Sequence, residues 1–300
     1  MRLRLGARGS ALSLAQASLV RGALGGEAEV EIVVVRTTGD RLSAEGAPIR
    51  WKGDFTRELD EALLDGRIDV AVHSLKDVPS ALPDGLVLAA VPEREDPRDV
   101  LVSEPRRAFE DLPEGARVGT SSPRRQAQIR LARPDLELVE ARGNVDTRLR
   151  RLREGRFDAL VLARAGLARL GRTGEIVEVF EEGLLLPAVG QGALALVARR
   201  EGPARDAARG IDHPSSHAEV LAERGFLAAL EAGCRAPVAA RARASGERLE
   251  ISGAVFAGDG SRALRAAASG STPDAVAIGR RVAQELLDRG ASALLGASGE

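Results

Sequence analysis

Over the first two thirds of the chain, short apolar runs alternate with stretches of helical periodicity, and that alternation leaves few architectures open. The runs cover residues 3–6, 30–36, 68–72, 86–91, 117–119, 136–140, 159–162 and 193–198. Between them, residues 54–65 place Phe55, Leu59, Ala62 and Leu63 at helical spacing, and Ser122-Pro123 reads as an N-cap with proline at the first helical position, opening a helix through Ala132. Strands alternating with helices bury an apolar sheet between helical layers, so the expectation is βαβ units and a mainly parallel sheet.

Two breaks interrupt this pattern. Pro92-Glu93-Arg94-Glu95-Asp96-Pro97-Arg98-Asp99 is charged and bounded by prolines, and Leu186-Pro187-Ala188-Val189-Gly190-Gln191-Gly192 is rich in glycine and proline. The first suits an exit from one lobe and the second a return to it, as in a two-lobed α/β protein with a ligand cleft. After Asp212-His213-Pro214 the pattern changes to a helix through Leu230, alternating runs at 238–244, 249–257 and 263–268, and a helix over 274–288. The expected division is 1–94 with 190–212 as one lobe, 95–189 as a second, and 213–300 as a small α+β domain.

Composition narrows the chemistry. The formal net charge of −1 supplies no global field for nucleic acid or an anionic membrane. One cysteine, Cys234, excludes an internal disulfide and a cysteine-based zinc site. The N-terminus lacks an apolar signal core and no apolar run reaches spanning length, so the chain is expected in the cytoplasm. Of 43 basic residues all are arginine except Lys52 and Lys76, and Asn144 is the sole asparagine. Against so strong a bias toward arginine, a retained lysine marks a place for a compact point charge.

Arginine gathers where strands give way to helices. Thr120-Ser121-Ser122-Pro123-Arg124-Arg125 ends a strand and opens a helix, so main-chain N–H groups, hydroxyls and guanidiniums converge where anions bind readily. Arg142 and Arg148 flank a second such turn, and Arg8 with Ser10 a third. Carboxyl ends of strands face the ligand crevice in doubly wound folds, which points these guanidiniums into one cleft. Arg150, Arg151, Arg153 and Arg156 read instead as a solvated helix face. In Val72-His73-Ser74-Leu75-Lys76-Asp77-Val78-Pro79, a carboxylate beside a lysine at a strand end can steer protons or stabilise a developing cation; a structural ion pair is the alternative. His73 reads as packed, and His213 and His217 as a helix start rather than metal ligands. Cys234 sits in a glycine-flanked loop beside Arg235, where either an activated thiolate or an inert buried thiol is consistent with the residues.

Taken together, these segments resemble the porphobilinogen deaminase (hydroxymethylbilane synthase) family, and the likeness runs through nearly the whole chain. The resemblance implies two lobes of type II periplasmic-binding-protein topology, with parallel-rich mixed sheets around a cleft, and a C-terminal α+β domain bearing the cysteine. It implies a dipyrromethane cofactor joined through a thioether to Cys234, onto which four porphobilinogens are deaminated and condensed before hydrolytic release of the tetrapyrrole. By the same likeness Asp77 is the catalytic carboxylate, hydrogen-bonding pyrrole N–H groups and stabilising positive charge on the attacked ring. Arg8, Ser10, Arg124, Arg125, Arg142, Arg148 and Arg169 bind cofactor or substrate carboxylates, Ser74, Lys76, Thr120 and Ser122 line the cofactor site, and Gln191 lies near the hinge. The family often carries a two-lysine stretch before the Phe55 helix; here 46–53 keeps only Lys52, expected on a lid. The implied partners are porphobilinogen and, for product hand-off, uroporphyrinogen-III synthase; a monomer with no nucleic-acid, membrane or metal partner is expected. The rival readings are a non-catalytic two-lobed receptor for a small anion, and a Cys–His hydrolase, which would need a histidine beside Cys234.

Overall fold

The computed structural model describes residues 2–25, 29–40, 55–231 and 236–296. Lys52 and Cys234 lie outside the described residues. The chain divides into two compact units, Met1–Glu95 with Gly192–His217, and Asp96–Gln191 with Ala218–Glu300.

Unit 1 is built on one five-stranded sheet. Strands β1 (Arg2–Ala7), β2 (Glu29–Val34) and β3 (Val70–Ser74) are parallel, in the order β2-β1-β3. Strand β4 (Leu86–Ala90) forms the far edge. Between β3 and β4 runs β10 (Leu194–Arg199), antiparallel to both and supplied by the returning chain. Helices α1 (Ala11–Leu24), α2 (Arg57–Leu64) and α6 (Pro203–Arg209) flank these strands. The core includes Leu5, Val20, Val70, Val72, Leu194 and Leu196. α2 is amphipathic as its spacing predicts, burying Leu59, Ala62 and Leu63, but it also buries Asp60.

Unit 2 contains two sheets. In the first, β6 (Arg117–Gly119), β7 (Glu137–Val139) and β8 (Ala159–Ala163) are parallel in the order β7-β6-β8. Strand β5 (Asp99–Ser103) runs antiparallel beside β8, and β9 (Glu178–Val179) pairs outside it. Helices α3 (Pro123–Ala132), α4 (Val145–Arg153) and α5 (Arg164–Arg169) connect the strands. Along β5, Val100 and Val102 pack with Leu149, Leu160 and Leu162, while Leu101 packs with Val118, Ile129 and Val161. Both faces of this strand are therefore buried, which explains its unbroken apolar run.

The second sheet of unit 2 is an antiparallel meander of β11 (Val238–Ser245), β12 (Arg248–Phe256) and β13 (Ala263–Ser271). α7 (Pro214–Ala229) belongs to this unit from Ala218 onward, and α8 (Ala275–Asp288) and α9 (Ala291–Gly296) lie within it. α8 buries Ala275, Ile278, Gly279, Val282, Ala283 and Leu286, the stripe expected of a 3.6-residue period. A Cβ on Gly279 would stand 1.9 Å from the Ala222 carbonyl oxygen, so the close crossing of α7 and α8 requires glycine there. The edge strand β11 is not left open. The Ala242 and Ala244 N–H groups donate to Glu223 and Glu219 of α7, and the Ala240 N–H donates to the Pro187 carbonyl.

The α/β class with mixed, parallel-rich sheets and a small C-terminal antiparallel domain is thus as expected. Two strands were not foreseen. By sequence Asp99 continues the charged break, yet it opens β5, and only 91–98 lack regular structure. β9 is two residues long and its sequence carries no period.

Candidate functional site

Among the described residues, Arg8, Ser10, Ser74, Lys76 and Asp77 follow strands β1 and β3 of unit 1, and Thr120, Ser122, Arg124, Arg125 and Arg142 follow strands β6 and β7 of unit 2, whereas Arg148 and Arg169 lie within helices and Gln191 on the returning segment.

In unit 1, Arg8 follows β1 directly. Its backbone N–H donates to Ser13 Oγ (3.0 Å), and Ser10 caps α1 by accepting from the Ser13 N–H at 3.3 Å. The Arg8 side chain already has partners: Nε donates to Asp40 Oδ1 at 3.1 Å, and the guanidinium lies 3.9 Å from the Phe55 ring centroid. Thr37 Oγ1 donates to the other oxygen of Asp40 at 2.8 Å. On the neighbouring strand β3, Ser74 Oγ accepts from Gln16 Nε2 at 2.7 Å. The chain then turns through a single 3-10 turn, Leu75–Asp77, anchored where the Leu75 N–H donates to the Ala193 carbonyl at 3.0 Å. Leu75 is buried whereas Lys76 and Asp77 are half-buried, so the turn pins its apolar residue and presents its two charged ones. His73 is buried, and its Nε2 makes no hydrogen bond. Burial, reinforced by the nearby Arg8 charge, pushes its imidazole down to about 4, so it is neutral at physiological pH.

In unit 2, three neighbouring strands end in three candidate turns. After β6, the Thr120 N–H donates to the Val139 carbonyl (2.9 Å) and its Oγ1 accepts from the Ser122 N–H (3.3 Å). Ser122 occupies the N-cap position of α3 with Pro123 behind it, as the sequence predicts, but its side chain makes no capping hydrogen bond. Arg124 and Arg125 differ from expectation. Rather than opening outward, both guanidiniums are buried and paired with Asp99, each at 2.7 Å. Gln191 is also buried, donating to the Pro97 carbonyl at 2.6 Å and to Asp99 Oδ1 at 2.9 Å. Burial alone would raise the Asp99 carboxyl, but the two guanidiniums outweigh it and hold the group far below the usual carboxylate range.

After β7, Arg142 pairs with Glu140 at 2.6 Å. Arg148 sits inside α4 rather than in the turn, its Nε donating to the Gly143 carbonyl at 2.7 Å. Gly143 has φ 100, a left-handed conformation that costs a side-chain-bearing residue strain. After β8, Arg169 is half-buried in the last turn of α5. Of the four arginines read as a solvated face, Arg150, Arg153 and Arg156 are exposed. Arg151 is half-buried and donates to the Arg142 carbonyl at 3.2 Å.

The histidines at the start of α7 have local partners: His213 Nδ1 lies 2.8 Å from Ser216 Oγ, and His217 Nδ1 lies 2.8 Å from Asp212 Oδ1. The acidic neighbour of His217 was not anticipated, but both rings serve the helix start. Sequence reasoning also missed Asp99 and Ser121. The signal for Asp99 was present: an acid directly before Val100-Leu101-Val102 in an α/β frame must either leave the strand or find a cation inside it.

The fold is thus an α/β protein whose parallel strands end in guanidiniums, hydroxyls and helix N-termini. Residues 3–206 match the model of the porphobilinogen deaminase dipyrromethane cofactor binding domain, and residues 217–288 match that of the family's C-terminal domain. The porphobilinogen deaminase of Rubrobacter xylanophilus is 50% identical over 299 residues, covering 98% of this chain and 97% of that protein. That of Syntrophobacter fumaroxidans is 46% identical over 300 residues, covering 98% and 96%. Among solved structures, a putative methionine-binding lipoprotein from Bacillus subtilis gives a TM-score of 0.42 at 13% identity, covering 70% of this chain and 87% of that one. The chain belongs to the porphobilinogen deaminase family.

Proposed function

We propose that this chain condenses four porphobilinogens, with loss of ammonia from each, into a linear tetrapyrrole built on a dipyrromethane primer attached at Cys234. The observation that carries this reading is the match to both family domains over nearly the full chain. The donor set supports it. The primer and each added ring bear carboxylate side chains, and guanidiniums bind carboxylates bidentately. In the α3 turn, Ser121 Oγ and Arg124 Nε are buried and make no hydrogen bond, so donors remain for an anionic group.

The bound dipyrromethane supplies the pyrrole to which substrate units are joined. Around it, we assign Ser74, Lys76, Thr120 and Ser122 to lining the cofactor site. Arg8, Arg124, Arg125, Arg142, Arg148 and Arg169 are assigned to the carboxylates, with Ser10 fixing the turn behind Arg8, and Lys52 and Gln191 are retained as contacts. Asp77 is the proposed catalytic residue. Departure of ammonia and attack by a pyrrole both create positive charge, and a half-buried carboxylate on a short 3-10 turn can stabilise it. We further propose that the chain has three domains, 1–94 with 190–212, a second lobe over 95–189, and a C-terminal domain over 213–300, which divides unit 2 in two. Its two separate sheets support that division.

The decisive measurement is intact mass together with deaminase activity. The purified chain should exceed its sequence mass by a dipyrromethane, and Cys234→Ala should remove both the added mass and turnover. An unmodified but fully active protein would exclude the primer. Full activity without any bound pyrrole would also remove the reason for the arginine assignments.

A further inference from the structure

Asp99 opens β5 with no surface exposed to solvent. Oδ2 accepts from Arg124 Nη1 at 2.7 Å. Oδ1 accepts from Arg125 Nε at 3.0 Å, Arg125 Nη2 at 2.7 Å and Gln191 Nε2 at 2.9 Å. The same arginines reach main-chain carbonyls, Arg124 Nη1 donating to Leu186 (2.7 Å) and Arg125 Nη1 to Val161 (2.8 Å). One carboxylate therefore ties β5 to the first turn of α3, to β8 and to the returning segment. Gln191 stands between two left-handed glycines, Gly190 (φ 71) and Gly192 (φ 87), at the end of that segment.

The charge in this cluster does not balance. Two guanidiniums face one carboxylate, leaving one positive charge in excess inside the protein. Burial weakens the hold of Arg124 on its proton, and Arg125 works in the same direction against the attraction of Asp99. A buried excess charge is costly unless an anion meets it. The unbonded Ser121 Oγ and Arg124 Nε lie in the same turn.

We propose that Asp99 is a positioning residue for this turn: its charge orients Arg124 and Arg125 and cancels one of their two charges, so that a single ligand carboxylate completes the neutral cluster. The proposal rests on the reading above that the turn binds ligand carboxylates. The charge and its placement are both operative, because the two oxygens must stand where the two guanidiniums converge. Asparagine fits the same space, but it presents one acceptor oxygen and an amide that would face guanidinium N–H groups.

The test uses the full-length protein as purified, with three readouts: cofactor loading by intact mass, KM and kcat for porphobilinogen per folded molecule, and Tm. Asp99→Asn should lower Tm, reduce the loaded fraction, and raise KM about tenfold or more while kcat of loaded molecules changes less, as expected when charge-assisted hydrogen bonds to a ligand are lost. If Asp99→Asn does not fold, Asp99→Glu takes its place. It keeps the charge and displaces the carboxylate by one methylene, and the same rise in KM and fall in loading are expected. A carboxylate with a purely structural role would shift Tm alone, so unchanged KM and loading in whichever variant folds overturn the proposal. Arg124→Met separates it from the reading beneath it. Should Arg124→Met load and bind normally, the turn does not hold carboxylates and both ideas fall. Loss of loading in Arg124→Met with normal behaviour of the Asp99 variant leaves the turn's role intact and removes only that of Asp99.

Discussion

The two five-stranded sheets share a plan, three parallel strands with an antiparallel strand inserted beside the third, yet they treat buried polarity in opposite ways. In unit 1 the inserted strand is β10, where buried His73, opposite Ala195, is held neutral and Gln16 bonds to half-buried Ser74, while burial pushes the carboxyl of Asp60 on α2 up to about 6 rather than down. Its proposed catalytic carboxylate, Asp77, stays half-buried on a turn. In unit 2 the inserted strand is β5, and it carries a fully ionised carboxylate into the core against two guanidiniums. On the roles proposed above, the difference separates two jobs. A carboxylate that must answer a transient positive charge needs room for a ligand, whereas one that aims fixed cations at permanent anions is best locked away from water.

The largest effect should come from Asp77. Asp77→Asn preserves size and removes the charge, so turnover should fall about 10²–10³-fold, the equivalent of about 3–4 kcal/mol of transition-state stabilisation. Tm and cofactor mass should stay near those of the parent. Near-normal turnover would break the comparison, because the acid of unit 1 would then have no more chemical role than any surface carboxylate. Lys76→Arg sharpens the same point: a bidentate guanidinium beside Asp77 would hold the carboxylate away from pyrrole nitrogens, so activity should drop although charge is kept.

A smaller effect is expected in unit 2. Arg148→Leu or Arg142→Leu removes a charge-assisted contact and should reduce cofactor loading or elongation about ten- to a hundredfold. Arg153→Leu should be nearly silent, since Arg153 is exposed and its pair with Glu175 is a surface ion pair, worth about 0–1 kcal/mol. Equal losses at all three positions, read from the mass distribution of enzyme–pyrrole species, would show that the helix faces have been assigned wrongly.

How far the sequence alone reaches is visible in α3 and β5. The bounds of α3 are legible because a serine and a proline mark its start locally. The stripe of α8 is legible because its core contacts repeat at the helical period. β5 was lost because its charged first residue looks continuous with the charged segment before it. The destination of Arg124 and Arg125 was lost for a deeper reason: their partner lies 25 and 26 residues earlier on another strand, and Gln191 is 92 residues away from it. Local pattern shows that two guanidiniums begin a helix. Only the assembled sheet shows that one carboxylate claims both.

A last, modest effect concerns pH and belongs to unit 1. Burial pushes the His73 imidazole down to about 4, against an ordinary value of 6.5. Between those values the unfolded chain takes up a proton that the folded chain refuses, so stability falls as pH drops from about 6.5 toward 4. Asp60 does the reverse. Burial, only partly offset by a hydrogen bond to Thr56, pushes its carboxyl up to about 6 from an ordinary 3.8. There the folded chain binds the proton more tightly, and stability rises as pH drops from about 6 toward 4. The two contributions oppose each other in one window, so the parent unit should change little between pH 7 and 5. Removing either group should expose the other. His73→Asn should gain about 1 kcal/mol on acidification, and Asp60→Asn should lose about 1 kcal/mol, measured by hydrogen exchange of the β1 and β3 amides at the two pH values. Asp99 is held so far below the usual carboxylate range that amides of β5 and β8 should show no such dependence in either variant. A pH response in β5 and β8 that matched that of β1 and β3 would mean that buried charge is handled alike in both sheets, and the contrast between them would be lost.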